Sequence, residues 1–240
     1  MSASSSLQMS QGRSRYTIVL SIACVTQTFQ ITMIKLPNKD IERKYIRLRY
    51  NQIIGVDEVG MGCLAGPVVV CAGYFDKRYY SIKSNELSGV NDSKLLSANK
   101  REEIARSLIR NKYFRYKICL CHPRTIDRLN IHKASKLAMK RAVSTITRGT
   151  HAMVLVDGLH KISNLKIEQR AITKGDSKVF VIACASIIAK VYRDKLMVKY
   201  AKKYPQYGFE IHKGYGTKLH YVRLAVVGPC DIHRKSFRLS

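Results

Sequence analysis

The chain has 240 residues, 46% of them hydrophobic, which is enough for one well-packed domain and an appendage. Its 43 Lys and Arg against 16 Asp and Glu leave a net charge of +27, so the natural partner is a polyanion, with nucleic acid first and an anionic membrane surface second. Seven cysteines without a CxxC pair lack the spacing of a structural zinc site and read as reduced thiols.

Taken in order, residues 1–50 read as an extension and residues 51–240 as the domain. The start, "MSASSSLQMSQGRSR", is rich in Ser and free of acids. The next run, "YTIVLSIACVTQTFQITMIKL", is apolar but too interrupted by Thr, Gln and Ser to span a membrane. A disordered extension and a transit peptide both fit this composition. Met33 would serve as a start in its own right.

From residue 53 the pattern becomes regular. "QIIGVD" and "PVVVCAGYF" read as buried strands. "SANKREEIARSLIRN" reads as a helix with Ser97 as its N-cap and Ile104, Leu108 and Ile109 on one face. "YFRYKICLC" alternates like a strand, and "NIHKASKLAMKRAVSTITRG" reads as a basic amphipathic helix ending near Gly149. "AMVLVDG" is a buried strand stopped by Asp157-Gly158. "FVIACASIIAKVYRDKLMVKYAKKYP" is a long helix, apolar and then basic, and "TKLHYVRLAVVG" is the last helix. Strands and helices mix without strict alternation, so the expected architecture is a mixed sheet with helices packed around it.

Four acids stand out by position. Asp57 and Glu58 end the first domain strand, Asp157 ends a later strand of the same character, and Asp176 precedes the long helix. Two strands of one sheet that both end in Asp can meet at one rim. Glu58 joins Asp57 only if the strand ends and the chain turns, which Gly60 and Gly62 permit. Carboxylate clusters suit hard divalent cations, Mg²⁺ or Mn²⁺. Beside nucleic acid, two such ions serve phosphodiester hydrolysis. Taken singly, each Asp could equally be a turn or cap residue.

Ordered blocks from about residue 53 to 237 carry a resemblance. They are "GVDEVGMGCLAGPVV", "NDSK", "IDRLNI", "VLVDG", "KGDSKVFVIACASIIAKVYRD", "YPQYGFEIHKGYGT" and "GPCDIHRKSF". Together they resemble the ribonuclease HII family, and "DEVG" is the form of type HII rather than HIII. The resemblance implies an α/β fold, a ribonuclease-H-like mixed β-sheet with flanking helices and a C-terminal helical part. It implies an endonuclease that cuts the RNA strand of RNA–DNA hybrids and incises 5′ of ribonucleotides embedded in duplex DNA, leaving 3′-OH and 5′-phosphate ends by two-metal-ion catalysis. Asp57, Glu58, Asp157 and Asp176 match the family's metal-binding, catalytic acids, with Mg²⁺ or Mn²⁺ as cofactor. Gly60, Met61 and Gly62 match the turn that reads the ribose 2′-OH. Tyr215 matches the tyrosine at the RNA-to-DNA junction, and Lys94 lies in a substrate-binding block. Lys174, Lys190, Arg193, His233 and Arg234 are candidate phosphate contacts or structural ion-pair partners. The implied partners are RNA–DNA hybrid and ribonucleotide-containing duplex DNA, with no membrane, for a cytoplasmic monomer unless the N-terminus targets it elsewhere. Two positions depart from the pattern: Met61 stands where Arg is usual, and Leu95 where a second Lys is usual. The alternatives are a catalytically weak or inactive nucleic-acid-binding protein on the same fold, and a nuclease of other specificity with the same acid chemistry.

Overall fold

The apolar runs 53–56, 68–72 and 152–156 are buried almost throughout, because each lies in a strand covered on both faces. The computed structural model describes residues 16–22, 29–82, 87, 89–149 and 151–239. Strands β1 (Tyr16–Ile22) and β2 (Phe29–Lys35) pair antiparallel as a separate two-stranded sheet. The Ser-rich start, read as disordered or targeting, lies outside the described residues. Helix α1 (Asp40–Arg47) follows and buries Glu42 and Tyr45. Part of the stretch assigned to the extension is therefore built into the core.

The main sheet contains β3 (Gln52–Val59), β4 (Val68–Phe75), β5 (Phe114–Cys121), β6 (Ala152–Asp157) and β7 (Glu168–Ile172), in the order β5-β4-β3-β6-β7. β3, β4 and β5 run antiparallel to their neighbours, while β3, β6 and β7 are parallel, so the sheet is mixed as expected. Helix α2 (Ala98–Arg110) begins where Ser97 accepts a hydrogen bond from the Lys100 N–H. Ile104 and Leu108 are buried, but Ile109 is 53% exposed. It lies about 100° around the helix from Leu108, off the apolar stripe.

Helices α3 (Pro123–Leu129) and α4 (Ile131–Ile146) follow β5. α4 covers one face of the sheet, where Ile54, Val56, Val70, Val154 and Val156 pack against its alanines and Met139. Helix α5 (Phe180–Lys203) covers the other face, its apolar first half fully buried among Ile53, Cys71, Met153 and Leu155. Contact there is close: a Cβ at Gly55 would lie 2.6 Å from the Val181 backbone, so only glycine lets α5 approach β3 this far. Helices α6 (Phe209–His212) and α7 (Lys218–Val227) form, with the second half of α5, a smaller C-terminal core around Met197, Tyr207, Phe209 and Leu224. Among the described residues no helix is long and apolar enough to cross a membrane, and the six described cysteines are free.

Candidate active site

Strand alternation decides which carboxylates meet. Along β3 and β6, Ile53, Met153 and Leu155 face α5, while Ile54, Val56, Val154 and Val156 face α4. Val56 pairs with Val156 across the parallel ladder, so Asp57 and Asp157 emerge together on the α5 side, at the end of β6 and two residues before the end of β3. Asp176 arrives from the 3₁₀ turn Gly175–Ser177 that leads into α5. One carboxylate oxygen from each of Asp57, Asp157 and Asp176 lies within 4.8 Å of the other two.

Glu58 is outside that trio. β3 continues to Val59, so Glu58 points to the α4 side, opposite Val70. The chain does not turn at Glu58 as its joining Asp57 required; the turn comes two residues later, at Gly60. Glu58 still senses the cluster through Asp157, with Lys136 of α4 as its nearby cation.

Asp57, Glu58 and Asp176 are costly to charge. Burial, then the charges of Glu58 and Asp157, raise the Asp57 carboxyl well above the usual range, and a hydrogen bond with Ser186 works against this. Burial and then Asp157 push Glu58 up to about 7. Asp176 is raised by burial and then by Asp157. Hydrogen bonds fix the carboxylates: Glu58 N–H donates to Asp57 Oδ1 at 2.7 Å, and Gly175 N–H donates to Asp157 Oδ1 at 2.6 Å. Lys94 Nζ reaches Asp176 Oδ2 at 3.4 Å from a side chain that is otherwise 78% exposed. Glu58 Oε2 is buried with no hydrogen-bond partner. Crowded carboxylates with raised pKa values and an orphaned carboxylate oxygen form a hard-oxygen donor set that fits divalent cations.

The turn Gly60-Met61-Gly62 leaves β3 one residue past its end. Gly60 has φ +93°, and a Cβ there would lie 2.3 Å from Arg193 Nε, so glycine is required on both counts. Gly62 is different: a Cβ would meet nothing within 4 Å, so its open side faces outward, accessible to a ligand. Arg234 holds the turn from below. Its guanidinium donates to the carbonyls of Gly60 (2.6 Å), Met61 (2.9 Å) and Gly66 (3.0 Å). Arg193 donates to Pro67, Lys213 and Ala65. Both arginines are fully buried, and His233 is 2% exposed. Of the two roles the sequence leaves open for them, phosphate contact and structural partner, burial favours the second, with backbone carbonyls rather than carboxylates satisfying the arginine donors. Lys174 and Lys94 remain exposed, whereas Lys190 is tied to Asp194 at 2.8 Å.

Tyr215 reaches the same turn. It forms a β-bridge with Cys63, is 38% exposed, and has Lys190 Nζ at 5.6 Å and the Arg193 guanidinium at 5.7 Å from its ring centre. Leu95 is 57% exposed on the loop that carries Lys94. Two features escaped the sequence reading. Ser186, a hydroxyl in the apolar half of α5, touches Asp57 and lies 2.9 Å from Ser93. On the α4 side, a groove of about 960 Å³ lined by His132, Lys133, Lys136, Lys140, His160 and Lys161 lies beside Asp157 in sequence and beside Glu58 through Lys136. Lys133, Lys136 and Lys140 recur on one face of α4, a pattern that a solvated surface shares.

The profile of the ribonuclease HII family matches residues 54–240. Ribonuclease HII of Caldicellulosiruptor bescii is 46% identical over 198 residues, spanning 82% of this chain and 92% of that protein. Ribonuclease HII of Pelodictyon phaeoclathratiforme is 47% identical over 187 residues, spanning 78% and 89%. Two solved structures share the fold. One is the PCNA:RNase HII complex from Archaeoglobus fulgidus (TM-score 0.64, 24% identity, 79% of this chain and 96% of that one). The other is Bst-RNase HIII in complex with Mn²⁺ (TM-score 0.60, 17% identity, 95% and 85%). An acid-tipped mixed sheet, a match over most of the chain and relatives of this identity lead to one conclusion: the chain belongs to the ribonuclease HII family, endonucleases of the ribonuclease H type that act on RNA–DNA hybrids.

Proposed function

We propose that the chain also incises 5′ of single ribonucleotides embedded in duplex DNA, by two-metal-ion hydrolysis that leaves 3′-OH and 5′-phosphate ends. The observation that carries this reading is the meeting of three aspartates within 4.8 Å, one strand-end away from a glycine turn with open backbone. Asp57, Asp157 and Asp176 would hold Mg²⁺ or Mn²⁺, with Glu58 completing the set from the neighbouring face. The chemistry supplied when the ions are bound is activation of a water and stabilisation of the departing phosphodiester oxygen.

The protein's own groups orient and select. Gly175 N–H and Glu58 N–H fix the rotamers of Asp157 and Asp57. Lys94 offers a cation at the open edge of Asp176. The Gly60–Gly62 backbone admits a ribose edge to within hydrogen-bonding range, where the 2′-OH distinguishes RNA from DNA. The Met61 side chain is not the reader. Tyr215 presents a ring beside that turn for the adjoining sugar or base. Lysines of the groove along α4 suit the flanking phosphates.

The test is a panel of end-labelled duplexes with one ribonucleotide, with none, and with a 2′-O-methyl nucleotide at the same position, each with and without Mg²⁺ or Mn²⁺. Metal-dependent cleavage of the first alone supports the reading. Cleavage independent of the 2′-OH would show another specificity.

A further inference from the structure

Three histidines lie beneath Tyr215: His212 at 6% exposure, His220 at 0% and His233 at 2%. The groups around them dictate their tautomers. His220 Nδ1 lies 2.9 Å from the Tyr215 carbonyl, which can only accept, so Nδ1 carries the proton. In the neutral ring His220 Nε2 is then an acceptor. Its neighbour at 3.0 Å is His233 Nε2, which must therefore donate. That leaves His233 Nδ1 as an acceptor, and the Cys230 N–H donates to it at 2.9 Å. His212 obeys the same logic: Nε2–H donates to the Tyr207 carbonyl at 2.8 Å, and Nδ1 accepts from Gly214 N–H at 3.1 Å. Its ring stacks on His220 at 4.3 Å.

With all three rings neutral, one arrangement gives every ring nitrogen a partner, and the Cys230 Sγ (3.2 Å) and carbonyl (3.3 Å) also lie beside His233 Nδ1. The arrangement runs from the Cys230 backbone through His233 and His220 to the Tyr215 carbonyl, with His212 holding the residue before Tyr215. Gly214 in turn accepts from Leu64 N–H at 2.8 Å. The histidines thus brace the segment that carries Tyr215 against the loop that carries Gly60–Gly62.

We propose that His220, backed by His233 and His212, is a positioning residue for the substrate. Through a fixed relay of neutral imidazoles it sets the backbone of Tyr215, and so the seating of the tyrosine ring on the nucleic acid. The proposal rests on the reading of Tyr215 as a substrate contact. The histidines touch neither substrate nor the acids, so their effect falls on substrate grip rather than on the chemical step.

Two measurements on the full chain test it. The first is the nitrogen-15 NMR of its histidine side chains at pH 7. The relay requires neutral rings with the proton on Nδ1 in His220 and on Nε2 in His212 and His233. A charged ring or another tautomer overturns it. The second compares His220→Asn with His220→Leu on a single-ribonucleotide duplex, once thermal melting shows each variant folded. An Asn amide can keep the donor to the Tyr215 carbonyl; Leu cannot. His220→Leu should raise KM about tenfold, the cost of one buried hydrogen bond, with kcat at saturation nearly unchanged, and His220→Asn should recover most of that loss. Equal losses in both variants, or a fall in kcat with KM unchanged, overturn the positioning role. Tyr215→Ala is the separate control. If it leaves KM unchanged, the assignment of Tyr215 fails, whatever the tautomers show.

Discussion

Glu42→Gln should stabilise the protein at alkaline pH and not at acid pH. Glu42 of α1 is fully buried, its Oε1 accepts from the Val181 N–H at the start of α5 at 2.9 Å, and its Oε2 has no partner. Burial pushes its carboxyl up from 4.5 to about 7. A folded-state pKa above the unfolded one means that folding disfavours the charged form. The penalty is absent below the unfolded pKa of 4.5, grows as pH rises, and levels off above about 7. At about 1.4 kcal/mol per pH unit it approaches roughly 3 kcal/mol at pH 8. Gln keeps an oxygen for Val181 and removes the charge. Urea unfolding of both proteins at pH 5 and pH 8, at one ionic strength, reads the difference directly. The advantage of the variant should widen by up to about 3 kcal/mol between the two pH values. The acids of the active site titrate in both proteins and cancel in the comparison. A difference that is constant with pH, or that favours Glu42 more at pH 8, would refute the argument.

Other expectations follow from the same geometry. Gly60→Ala should cost about 1–3 kcal/mol in thermal or urea unfolding, because φ is positive and Arg193 occupies the space. Gly62→Ala should leave unfolding unchanged and weaken binding to ribonucleotide-containing duplex, since its Cβ would point only at a ligand. A chain starting at Met33 should fold and cleave like the full chain, whereas one starting at residue 51 should lose stability with helix α1 and its Glu42–Val181 hydrogen bond, as parallel melting curves and hybrid-cleavage rates would show. Met61→Arg should tighten duplex binding and steepen its salt dependence by about one unit of slope, with the cut site unchanged. Affinities at several salt concentrations and product sizing check both halves.

The sequence made the sheet legible where burial is symmetric. Runs such as "MVLVD" are apolar on both faces, so their strands and the acids at their tips stand out without tertiary knowledge. The Ser97 cap was visible for a local reason, a side chain bonding within its own turn. β7 was missed because "EQRAI" is an edge strand with charged, half-exposed positions and no clean alternation. It is held by Gln169, which exchanges hydrogen bonds with the Ile162 backbone. α1 was grouped with the extension because "DIERKYIR" looks like a solvated surface, and nothing local reveals that Glu42 reaches Val181, 139 residues away. For the same reason the sequence leaves open whether Arg193 and Arg234 face phosphate or the protein interior. A charge is visible in sequence, whereas the carbonyls that bury it belong to distant segments. Glu58 shows the limit at the site itself: alternation turns it to the face opposite Asp57, and the sequence leaves open where the chain turns, which the structure places at Gly60.

The most direct measurement is single-turnover cleavage of a duplex bearing one ribonucleotide by the natural chain and by Asp57→Asn and Asp157→Asn, with hybrid affinity measured on the same samples. The account predicts a metal-dependent cut 5′ of the ribonucleotide by the natural chain, no cut by either variant, and near-equal binding by all three, because the basic surface supplies most of the affinity. Appreciable Mg²⁺- or Mn²⁺-dependent cleavage by either variant would contradict it.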